Sequence, residues 1–172
     1  MNELLAGAHP HLLVNHVPIL GAFFALGLLV ASYFVGGDVL RRTGFAFLIV
    51  TALAAGASDL SGDPAVEATK GLPGITRNAV HAHEDSAGKA FFVAGVVGVL
   101  ALGALIRWRR TPVPASATLT LLVATVILSG MMAWTGLLGG QVRHTEVRPG
   151  ATPAAATIIE PPRARGAPKN DE

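Results

Sequence analysis

Four apolar stretches, each close to the roughly 20 residues a helix needs to cross a bilayer, constrain this chain more than any other feature. Leu12 to Val35 is interrupted only by Asn15, His16 and a few small or hydroxyl residues. Thr43 to Ser58, Ala90 to Ile106 and Ala115 to Leu138 contain no charged residue. The second and third stretches are short, and their flanks can extend both helices. Only 14% of the 172 residues are charged, against about a quarter in a soluble domain. The expected fold is all-α, an integral membrane antiparallel four-helix bundle over residues 1–148. Its spans fall at about 12–35, 43–58, 86–107 and 115–139. The first stretch reads as a retained helix rather than a signal peptide. It has no Lys or Arg before Arg41, exceeds the usual h-region, and is followed by no small-residue cleavage site.

The arginines orient the spans. The connection Gly36–Arg42 holds Arg41 and Arg42, and Arg107–Pro114 holds Arg107, Arg109 and Arg110. Short basic loops stay in the cytoplasm, so both termini and the loop Asp59–Asp85 are expected outside, in a bacterial inner (cytoplasmic) membrane. Lys70, Arg77, Arg143 and Arg148 lie in longer segments, where that rule is blunter. In the outer loop, Asp63 and Pro64 are placed to start a short helix that Gly71 ends, and Leu72-Pro73-Gly74 forms a turn. Thr76 can cap a helix that runs through His81 and His83 into the third span, with Asp85 and Lys89 paired one turn apart. Residues 149–172, rich in Pro and Ala, read as a disordered outer tail.

Small residues mark the packing faces. Ser129, Ala133, Gly136 and Gly140 form one ridge on the fourth span, and Thr51, Ala55 and Asp59 line a face of the second. Such ridges let membrane helices approach closely.

Composition also removes functions. With no cysteine there can be no disulfide framework, thiolate zinc site, iron–sulfur cluster or C-x-x-C-H haem attachment. A net charge of +2, with its basic residues where topology needs them, does not describe a nucleic-acid binder. No H-E-x-x-H motif and no nucleophile with a partner base is present. Four spans with no inverted repeat and no polar residue near the midplane do not describe a transporter.

What remains is histidine. The topology gathers all six, His9, His11, His16, His81, His83 and His144, at the outer face. His9 and His16 share a helix face and His11 points elsewhere, while only one of His81 and His83 can point inward. His16 lies about a turn inside the first apolar stretch, where an ionisable ring marks a functional site by default. Pro18 behind it removes the backbone bond to Val14. If the fourth helix continues past Gly140, His144 extends its inward face. The expected site therefore joins His16, His83 and His144. Glu84 and Glu146 are further metal ligands, and Arg143 and Arg148 are partners for haem propionates. Asp59, Asp63 and Glu67 complete an acidic set on that face, placed as helix caps and solvated charges.

Asn15-His16-Val17-Pro18, Gly62-Asp63-Pro64-Ala65-Val66-Glu67 with Leu72-Pro73-Gly74, His83-Glu84 and the run Gly139–Arg148 resemble motifs of a group of bacterial four-span membrane proteins. The resemblance covers about residues 8–148, and the last run is its most specific part. A wider family with a similar histidine-rich first helix is suspected of binding b-type haem. The resemblance thus implies such a role for His16, His83, Glu84, Arg143, His144, Glu146 and Arg148, and gives none to His9, His11 or His81. Two functions follow as expectations. One is a b-type haem or a zinc, copper or iron ion on the outer-face histidines, in an electron-transfer component working with other membrane or periplasmic proteins of a redox complex. The other is a non-catalytic accessory or anchoring subunit of a larger membrane complex, with no cofactor.

Overall fold

The computed structural model describes residues 2–151, with side chains from residue 8 onward. The described residues are all-helical: α1 Asn2–Val14, α2 His16–Ala31, α3 Gly37–Leu60, α4 Gly62–Thr69, α5 Arg77–Arg107 and α6 Ala115–Arg143, followed by a 3₁₀ turn at Thr145–Val147. Four rods, Ala8–Ala31, Gly37–Thr69, Arg77–Arg107 and Ala115–Arg143, are long and apolar enough to cross a membrane.

Local sequence explains the interruptions. Pro18 has no N–H for the carbonyl of Val14, and the helix is broken at Asn15. Asn15 keeps right-handed dihedrals, φ −63° and ψ −23°, so α1 and α2 remain one rod. Ser61 does the same between α3 and α4 at φ −92°, ψ −5°. Gly71, at φ +78°, follows α4 in the left-handed conformation that glycine adopts without a Cβ penalty. Pro73 and Gly74 then turn the chain, with the Ile75 N–H donating to the Leu72 carbonyl at 3.3 Å. The Thr76 hydroxyl accepts from the Ala79 N–H at 3.4 Å, capping α5 as its sequence predicts. Lys89 reaches Asp85 at 2.6 Å one turn along.

The helices pack in a closed ring, α2 on α3, α3 on α5, α5 on α6 and α6 on α2, while α1 lies against α4. The core is made of small residues and a few large ones: Ala22, Ala25 and Leu29 on α2, Phe45 and Leu48 on α3, Ala90, Ala94 and Ala101 on α5, Leu128 and Met132 on α6. Close approach is built in. A Cβ on Gly98 would sit 2.5 Å from the Ala52 Cβ, and one on Gly21 would strike the Thr51 hydroxyl. Burial is inverted relative to a soluble bundle. Ala25, Ala94 and Ala101 are 0% exposed, while Phe92, Leu53 and Val99 are 70% exposed or more. An apolar exterior of this extent suits contact with lipid.

Two connections meet at one end of the ring, here the arginine end. Arg42 Nε donates to Asp38 at 2.6 Å, and its Nη2 reaches the carbonyls of Trp108 at 2.8 Å and Thr111 at 2.7 Å. Asp38 in turn accepts from the Val113 N–H at 2.6 Å, and Arg41 Nη1 donates to the Val113 carbonyl at 2.9 Å. Carbonyls left over in the turn after α5 are thus satisfied by arginines from the first turns of α3.

Two packing faces differ from the expectation. On α6 the buried positions are Thr118, Leu121, Thr125, Leu128, Ser129, Met132 and Thr135, and Ala133 is exposed. The inward face is thus turned by about one residue from the Ser129–Ala133–Gly136–Gly140 ridge. On α3, Thr51 and Ala55 are buried as expected, but Asp59 is exposed, since the face ends where the core does. The expected tail at 149–172 lies almost wholly outside the described residues.

Candidate functional site

The end opposite the arginines carries the histidines, and each is placed by the face of its helix. The inward ridge of α2, Leu29–Ala25–Ala22–Pro18, continues backward in steps of three and four to Asn15 and then His11. His11 is half-buried, whereas His9 and His16 are both exposed. The break at Asn15 does not change this register, because its dihedrals stay helical. The expectation that His16 points inward and His11 elsewhere is therefore reversed. On α5 the ridge Ala101–Val97–Ala94–Ala90 extends backward to Ser86 and His83. His83 is half-buried and His81 exposed, so the inward histidine of that pair is His83, the one in the expected site.

The two inward rings meet. The centroids of His11 and His83 are 6.5 Å apart, with planes at 81°. Nδ1 of His11 lies 3.1 Å from the Ser58 carbonyl and 3.2 Å from the Ser61 hydroxyl. Nδ1 of His83 lies 3.1 Å from the Thr135 carbonyl. A carbonyl only accepts, so each Nδ1 carries the hydrogen and donates, which in the neutral ring leaves Nε2 with its lone pair. Behind His83, the Ser86 and Thr135 hydroxyls are 2.8 Å apart. Gly139 lets the α6 backbone lie against the ring; a Cβ there would stand 3.0 Å from Cε1 and 3.2 Å from Nδ1. Asn15, one turn from His11 on the same ridge, has a buried Oδ1 without a hydrogen-bond partner.

The other expected residues have local partners. His144 is exposed, just beyond α6, and its Nδ1 lies 2.8 Å from Glu146. The Glu146 carboxyl is held below the usual carboxylate range by its own backbone N–H and then by His144. Glu84 reaches back to His81 Nδ1 at 3.2 Å. Arg148 spends its guanidinium on the carbonyls of Gln141 at 2.8 Å, Val142 at 3.0 Å and Gly74 at 2.7 Å. It thereby closes the end of α6 onto the α4–α5 loop. Arg143 is exposed in the last turn of α6.

The three-ring set of His16, His83 and His144 is thus not gathered. Among the described residues, no group of three or more His, Asp or Glu is placed to hold a metal ion. Two of these three rings are exposed, and Arg148 donates to three backbone carbonyls. What the fold does gather is His11 with His83. Sequence reasoning passed over His11 because His16 lies deeper in the apolar stretch. The signal that finds His11 is the three-and-four spacing of small residues carried back through Pro18. No family model, no curated protein and no solved structure matches the chain.

Proposed function

We propose that the chain is a four-span integral protein of the bacterial inner membrane, an antiparallel bundle with both termini outside. In this reading it is a non-catalytic accessory or anchoring subunit of a larger membrane complex. The observation that carries the reading is where its polar groups go. Arg41, Arg42 and Arg148 donate to the chain's own carbonyls, while His16 and His144 lie exposed at its edges. The charged groups thus close the ends of a small-residue bundle, and an apolar exterior meets lipid and neighbouring spans. Within a bilayer such packing rests on van der Waals contact between closely approaching backbones.

The test is mild-detergent extraction followed by sizing and a visible spectrum. A colourless protein running in an assembly with other chains, in fixed proportion, is expected. A solitary chain carrying stoichiometric haem would contradict it. One observation favours the second reading, an electron-transfer component with a metal or b-type haem: His83 faces inward and is fixed by Thr135 and Gly139. That reading requires a partner ligand from the residues around it.

A further inference from the structure

We propose that His11 and His83 form a two-histidine binding site for a transition-metal ion of low coordination number, with Cu(I) as its natural occupant. The rings come from different helices, α1 and α5, and lie nearly perpendicular with centroids 6.5 Å apart. Each is held through Nδ1 by a backbone carbonyl, Ser58 for His11 and Thr135 for His83. This is how metal-ligating histidines are oriented: the second nitrogen's hydrogen bond fixes the tautomer and leaves Nε2 as the donor. The spacing agrees. With a metal–nitrogen bond of about 2.0 Å and about 1.1 Å more to each ring centre, two imidazoles in line across one ion have centroids about 6.2 Å apart. The observed 6.5 Å is within a few tenths of an ångström of that value.

The number of donors selects the ion. Zinc takes four ligands in a tetrahedron, twice the number that two histidines supply. No third His, Asp or Glu joins the pair among the described residues. Cu(I), with a filled d shell, is satisfied by two nearly collinear nitrogen donors, and imidazole is an established copper ligand type. Asn15, one turn along the same ridge, adds a buried Oδ1 that has no hydrogen-bond partner. Gly139 completes the site by leaving space for the His83 ring.

Anaerobic titration of the untagged, detergent-purified full chain with Cu(I), against a competing chelator, tests the proposal. The informative variants are His11→Asn and His83→Asn, because Asn keeps a donor near the Nδ1 position and removes Nε2. One equivalent of Cu(I) per chain is expected, with two nitrogen scatterers in X-ray absorption. Affinity should fall at least tenfold in either variant and stay unchanged in His9→Asn, His16→Asn and His144→Asn. The metal-free melting temperatures of His11→Asn and His83→Asn should match the parent, while the Cu(I)-induced rise is lost. Equal Cu(I) affinity in the parent, His11→Asn and His83→Asn would overturn the site. A haem Soret band abolished by either Asn variant would assign the pair to haem and overturn the bare ion. Neither result bears on whether the chain joins a larger complex.

Discussion

At the scale of single residues, position along a ridge decides more than depth in the sequence. His16 and His11 are five apart, a rotation of about 140° on a helix. That rotation puts one ring on the exterior and the other against α5. Gly139 shows how closely such placement is held. Gly139→Ala should push the His83 ring off the Thr135 carbonyl, because the new Cβ meets ring atoms at 3.0 Å and 3.2 Å. Overpacking of this kind typically costs about 1–3 kcal/mol, read as a lower melting temperature in detergent. Gly140→Ala, whose Cβ meets nothing within 4 Å, should melt with the parent. Arg148 acts at the same scale. Arg148→Ala removes donors from the carbonyls of Gln141, Val142 and Gly74, and faster amide exchange is expected in the loop 71–76 and the last turn of α6. Unchanged exchange there would mean that the clasp does not hold the loop.

At the scale of elements, helices pack where side chains are small and stay apart where they are large. Gly98→Ala should destabilise the α3–α5 contact by about 1–3 kcal/mol, since its Cβ would lie 2.5 Å from that of Ala52. Gly95→Ala, with nothing within 4 Å, should be neutral or mildly stabilising, because Ala favours a helix more than Gly does. Thermal unfolding of the pair separates the two outcomes, and equal melting temperatures would mean the contact faces are wrongly placed. The existence of these helices was legible in the sequence. So were the Thr76 cap, the Gly71 stop and the Asp85–Lys89 pair, because each rests on neighbours within four residues. The faces of α6 were not legible. Ser129–Ala133–Gly136–Gly140 and Thr125–Leu128–Met132–Thr135 are both plausible stripes. The choice between them depends on the helices packed against α6, α5 and α2, far away in sequence. His11 was missed for a related reason: its neighbours Ser58, Ser61 and His83 come from other helices.

At the scale of the whole molecule, the two ends are built differently. One end is closed by Arg41, Arg42 and Asp38 onto the turn after α5, and the other holds paired imidazoles and the Arg148 clasp. Arg42→Ala should cost about 1–3 kcal/mol, as it leaves charge-assisted bonds unmade and carbonyls unsatisfied; a melting temperature unchanged from the parent would show that water replaces it without loss. The central claim is that these ends lie on opposite sides of a membrane, with the histidines outside. The cysteine-free sequence makes the test direct: one cysteine is introduced per variant and labelled in intact cells with a membrane-impermeant maleimide. Cysteine at Gly74 or Gly150 should react at once, and cysteine at Gly37 or Arg110 only after the membrane is permeabilised. Labelling of all four in intact cells, or the reverse pattern, would contradict the account.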